Sequence, residues 1–148
     1  MIRTLHPIAG IIGFLTILGF WLSTVVVELG GDPGAIAAVK LGILWGLAVL
    51  IPALATAGLT GFKLGGKSQR PEIVSKRLRM PIIAFNGVVV LVPCAVMLQR
   101  QAAAGQFDRT FIVIQALELL AGAVNITLLG LSIRDGLKLA RRFGVAAT

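Results

Sequence analysis

Four long apolar runs, separated by short charged stretches, set the pattern of this chain: about Pro7 to Val27, Pro33 to Phe62, Met80 to Leu98 and Arg109 to Ile133. As helices rising about 1.5 Å per residue, runs of this length reach across roughly 30 Å of hydrocarbon. Asp32 followed by Pro33 reads as an N-cap and a first-turn proline, which fixes the start of the second run. Pro52 and Pro93 fall inside runs, where each removes a backbone N–H; Pro52 is expected to kink its helix, with neighbours covering the freed carbonyl. The links Leu29 to Asp32 and Gln99 to Asp108 are short, and short links force neighbouring helices to run in opposite directions. The predicted fold is an all-α membrane protein, four transmembrane helices in an up-down-up-down antiparallel bundle. Residues 1–148 form one domain, with a basic cytoplasmic loop over Lys63 to Arg79.

Composition agrees with that pattern. Hydrophobic residues make up 57% of the 148 residues and the mean hydropathy is +0.94, more apolar surface than a soluble core of this size can bury. The first run is longer than the roughly 7–15 residues of a signal-peptide core, and no small-x-small cleavage site follows "STVVVELGG", so it is expected to remain as an anchor.

The formal charge of +8 is distributed unevenly. Arg3, then Lys63, Lys67, Arg70, Lys76, Arg77 and Arg79, then Arg134, Lys138, Arg141 and Arg142 place eleven of the fourteen Lys and Arg on one side of the proposed membrane. The positive-inside rule makes that side cytoplasmic, N-in and C-in, in a bacterial cytoplasmic (inner) membrane. The cations of Lys63 to Arg79 suit anionic lipid headgroups, each contributing about 1 kcal/mol near a charged surface. No aromatic interleaving or recognition motif accompanies them, so nucleic acid is not an expected partner.

The fourth run, "FIVIQALELLAGAVNITLLGL", carries Gln115, Glu118 and Asn125 in its interior. At about 100° per residue these three and Gly122 share an arc of roughly 80°, with Thr127 on the opposite side. A polar stripe containing a glycine is an inward face, while Val113, Leu120, Val124 and Leu131 point toward lipid. Glu118 lies about 13 Å below the outer boundary, near the midplane, where an isolated ionised carboxylate costs at least about 2.5–3.5 kcal/mol; it is protonated, paired or wet. Lys40 can reach inward to Glu118 or outward to Glu28. The outward pair is the expected one, because it returns both charges toward water. On that footing a structural Glu118 tolerates Glu118→Gln with neutral or stabilising effect. Asn125 and Asn86 fall at equal depth on adjacent helices, which predicts an amide pair.

Remaining features divide between packing and chemistry. "GILWG" gives Gly42 and Gly46 a spacing suited to close helix approach, within the chain, in a homo-oligomer or against another membrane subunit. Trp21 and Trp45 lie deep in their runs and are expected in the core. His6, in "LHPIAG", reads as an interfacial histidine hydrogen-bonding near a helix start; the sharper alternative is a haem ligand with Met80 as second axial group. Membrane b-type cytochromes mostly use paired histidines and this chain has one, so no cofactor is predicted, with haem b or quinone as the alternative. The single Cys94 excludes an intramolecular disulfide and a cysteine metal cage. Asp135 is expected at a solvated helix end, paired with Arg134 and Lys138, with Gly136 loosening the helix. No catalytic motif or metal site is recognisable. Three functions remain open: a non-catalytic subunit or assembly partner of a membrane complex, a small proton-coupled carrier using Glu118, and a haem- or quinone-binding redox anchor.

Overall fold

The computed structural model describes residues 2–66 and 69–144, apart from the side chains of 2, 3, 142 and 143. Lys67 and the side chains of Arg3 and Arg142, which entered the charge argument, lie outside the described residues. The described residues form helices joined by short connections, with no strand among them. Helix α1 covers Ile2–Gly30, α2 Pro33–Gly65, α3 Pro71–Phe85, α4 Val92–Ala103 and α5 Arg109–Gly144, with a π-helical turn, Asn86–Leu91, joining α3 to α4. Four continuous stretches, Thr4–Gly30, Pro33–Gly65, Pro71–Ala103 and Arg109–Arg141, are long and apolar enough to cross a membrane.

Local chemistry accounts for the starts and the irregular turn. The Asp32 carboxylate accepts from the backbone N–H groups of Gly34 and Ala35, at 3.4 and 2.9 Å, and caps α2. Asp108 does the same for α5, accepting from Phe111 N–H at 3.0 Å. The π turn closes with Val92 N–H donating to Gly87 O. Pro93 follows at once; it has no N–H to offer the preceding turn, so the ladder there is already interrupted.

The basic segment differs from the expected loop over Lys63 to Arg79. Helix α2 runs on to Gly65 and α3 begins at Pro71, leaving 66–70 as the connection. Hydropathy marks where apolar residues stop, not where helix stops. Pro71 suits a first helical position, and Glu72, Lys76, Arg77 and Arg79 are all good helix formers. Arg77 donates to Gly66 O across the connection.

All four long stretches contribute to the core. One cluster joins Ile17, Leu50, Ile83 and Leu129, with Phe14, Phe20 and Met80 packed against it; a second joins Ile36, Leu98, Ala102 and Phe111, with Val27 and Phe107 alongside. Phe107 meets Phe111 edge to face, ring centroids 5.0 Å apart. Between α1 and α2, His6 lies over Gly61, Leu54 over Gly13 and Phe20 over Gly46. The two glycines of "GILWG" therefore separate: a methyl on Gly46 would stand 2.3 Å from Phe20 Cζ, whereas Gly42 has open space. Trp45 is 75% exposed, against the core position expected for it. It shares a surface with Leu41 and Val49, a fourth-residue row on the side of α2 away from its partners.

Candidate functional site

Two polar layers interrupt the apolar interior, and α5 supplies a residue to each. In the first, Lys40 Nζ lies 2.6 Å from Glu118 Oε2, with the lysine side chain wholly buried and the glutamate 12% exposed. Gln115 Nε2 donates to the same carboxylate oxygen at 3.3 Å. Glu28, the partner expected for Lys40, is near enough to feel both charges, yet its Oε1 is buried without a hydrogen-bond partner among the described residues. Depth explains the different choice: Lys40 lies eight residues past Asp32 and Glu118 nine past Arg109, so the two start at nearly equal levels. A long stem that is already buried gains more from a carboxylate at its own level than from extending toward solvent.

The second layer is an amide pair. Asn86 Nδ2 donates to Asn125 Oδ1 at 2.9 Å and to Ala121 O at 2.9 Å, and Asn125 Nδ2 donates to Ile83 O at 3.4 Å. Asn86 opens the π turn, and no described Asn125 surface is accessible. This is where a polar side chain bridges two helices by capping backbone carbonyls that the helices themselves already use.

Between the layers Trp21 donates its indole N–H to Leu119 O at 2.9 Å and lies against Gly122, where a methyl would stand 3.0 Å from Trp21 Cδ1. Sequence reasoning counted Gly122 as part of the stripe without finding the ring that fills it. A small pocket of about 60 Å³ opens here, lined among others by Trp21, Thr24, Ile43, Leu91, Ala95 and Glu118. Its walls are apolar except at Thr24 and Glu118. The Gln115 Oε1 atom is buried with no partner among the described residues.

The other candidates take separate places. His6 Nδ1 lies 3.0 Å from Ala57 O and 3.1 Å from Thr60 Oγ1, held against α2. Met80 instead packs against the Ile17, Leu50, Ile83 and Leu129 cluster. Cys94 is buried, and among the described residues no group of three His, Cys, Asp or Glu is placed to hold a metal ion. Ser23 bonds back to Phe20 O in its own helix.

Near the far end of α5, Asp135 departs from the solvated helix end expected for it. It is buried and pairs with Arg79 Nη1 at 2.7 Å and with Arg134 Nη2 at 3.3 Å. The helix continues past it to Gly144, and Gly136 faces the Lys76 ammonium. Arg79 was placed in a loop by hydropathy; its position in α3 is what brings it to Asp135. No protein-family model, characterised protein or solved structure matches the chain.

Proposed function

We propose that the chain is a small polytopic protein of a bacterial cytoplasmic membrane, acting as a non-catalytic subunit or assembly partner of a membrane complex. Its four spans run up-down-up-down, with both termini cytoplasmic. The contact register supports the antiparallel order: along α1, residues 6, 13 and 20 meet 61, 54 and 46 of α2, and along α3 into its π turn, residues 76, 79 and 86 meet 136, 135 and 125 of α5. The concentration of Lys and Arg toward one end supports the orientation.

The observation that carries the functional reading is where the intramembrane polar groups spend their bonds. Glu118 goes to Lys40, Asn125 to Asn86, and Trp21 to the α5 backbone, so the stripe ties helices together instead of presenting a lined path or a reactive centre. Large apolar side chains such as Trp45, Leu59, Phe62 and Leu120 remain outside, available to lipid or to other spans. A proton-coupled carrier is the second reading, favoured by one specific feature: the pocket at Glu118, with Gln115 Oε1 unpartnered nearby. The test is native mass spectrometry of the chain, tagged at its natural level and released in mild detergent. A second membrane protein in fixed stoichiometry, retained after cross-linking, is expected. The chain recovered alone, and stabilised by a small cargo in a pH-dependent manner, replaces the first reading with the second.

A further inference from the structure

Three cations and one carboxylate meet where α3 packs on the last turns of α5. Asp135 is buried and has both oxygens engaged, Oδ2 by Arg79 and Oδ1 by Arg134. Lys76 is half-buried, three residues before Arg79 on the same face of α3. Its Nζ would stand 2.8 Å from a methyl on Gly136, so the missing side chain at 136 is what admits it. The ammonium makes no hydrogen bond or ion pair among the described residues. The Asp135 charge offsets that of Arg79 at Lys76, but both Asp135 oxygens are engaged by the arginines, so the partly desolvated ammonium has no hydrogen-bonding anion of its own.

We propose that this notch between α3 and α5 seats the phosphate of an anionic phospholipid headgroup, with Lys76 as its principal contact and Arg79 and Arg134 at its edge. Phosphate supplies several acceptor oxygens, so it can satisfy the three N–H donors of Lys76 while leaving the Asp135 pairs intact. The ends of the long apolar helices put the notch at headgroup level with acyl chains alongside, which favours a lipid over free phosphate. The placement rests on the membrane reading above but not on its orientation, since either leaflet can be supplied with the lipid.

The experiment is a lipid titration of the full chain in neutral detergent, read by native mass spectrometry, with phosphatidylglycerol, phosphatidylcholine and inorganic phosphate as probes. Phosphatidylglycerol is expected to bind in preference to phosphatidylcholine, with inorganic phosphate giving no comparable occupancy. K76Q should weaken phosphatidylglycerol about fivefold, the equivalent of one surface cation. G136A keeps every charge but displaces the ammonium, and should weaken binding in the same direction. Phosphatidylglycerol affinity unchanged in both variants overturns the seat. Equal occupancy by inorganic phosphate overturns the lipid as its source. Topology fusions report the orientation separately, so loss of one conclusion is not mistaken for loss of the other.

Discussion

Removing one member of the Lys40–Glu118 pair should be far more damaging than removing both. Lys40 is wholly buried and its ammonium lies 2.6 Å from Glu118 Oε2, so Lys40→Met strands a carboxylate and Glu118→Gln strands an ammonium. Stranding a buried charge costs about 3–5 kcal/mol, whereas replacing a buried pair by neutral groups of similar volume is often neutral or stabilising. This reverses the expectation drawn from an unpaired Glu118, for which the glutamine substitution only removed a desolvation cost. Glu28 lies within range of the same charges and offers the stranded ammonium another carboxylate. Glu118→Gln should therefore fall at the low end of that range, and adding Glu28→Gln should remove the refuge. The assay is equilibrium unfolding in mixed micelles, followed by tryptophan fluorescence in a Trp45→Phe background that leaves Trp21 as the reporter, for the otherwise unaltered chain, both single variants and Lys40→Met/Glu118→Gln. The expected coupling is at least about 2–3 kcal/mol, with the double variant close to wild type. Singles that add, or a Glu118→Gln as stable as wild type with Glu28 absent, would refute the pairing.

The amide layer is testable through Asn125→Leu, which leaves Asn86 only the Ala121 carbonyl; a loss of about 1–2 kcal/mol in the same unfolding assay is expected, and no loss would remove the bridge. Gly46→Ala should destabilise by about 1–3 kcal/mol because its methyl would meet the Phe20 ring, while Gly42→Ala should be neutral in the isolated chain; the opposite ranking in unfolding midpoints would contradict the α1–α2 register. Purified with haem supplied, the chain is expected to give no Soret band, since Met80, the second axial group that reading requires, packs against the apolar cluster of Ile17, Leu50, Ile83 and Leu129; a band abolished by His6→Ala would establish the redox reading instead.

Periodicity and depth made part of this interior legible. The arc shared by Gln115, Glu118, Gly122 and Asn125 marks a buried face, and equal depth brings Asn86 to Asn125 at 2.9 Å. Counting from Asp32 and Arg109 also sets Lys40 nearly level with Glu118, whereas the expectation of Glu28 rests on the tendency of a long side chain to reach for water. That tendency governs a lysine whose stem borders lipid, and Lys40 is enclosed by protein. Helix ends were less legible, because hydropathy locates apolar residues and is blind to Pro71 starting a helix among cations. The Asp135–Arg79 pair was hidden for that reason. Trp45 and Trp21 occupy similar depths, and only packing separates them: Gly122 receives one ring, while the other is 75% exposed.

Whether Glu118 holds helices together or carries a proton is decided most directly by thermal stability of wild type and Glu118→Gln, measured in one detergent between about pH 5 and 9. Groups remote from the pair contribute equally to both curves, whereas Glu28 and Lys40 feel the loss of the Glu118 charge. A structural pair that stays ionised predicts a wild-type curve with no step of its own in that range, lying above the Glu118→Gln curve throughout. A wild-type curve that changes steeply with pH against a flat Glu118→Gln curve would contradict the account and make Glu118 the working group of a carrier.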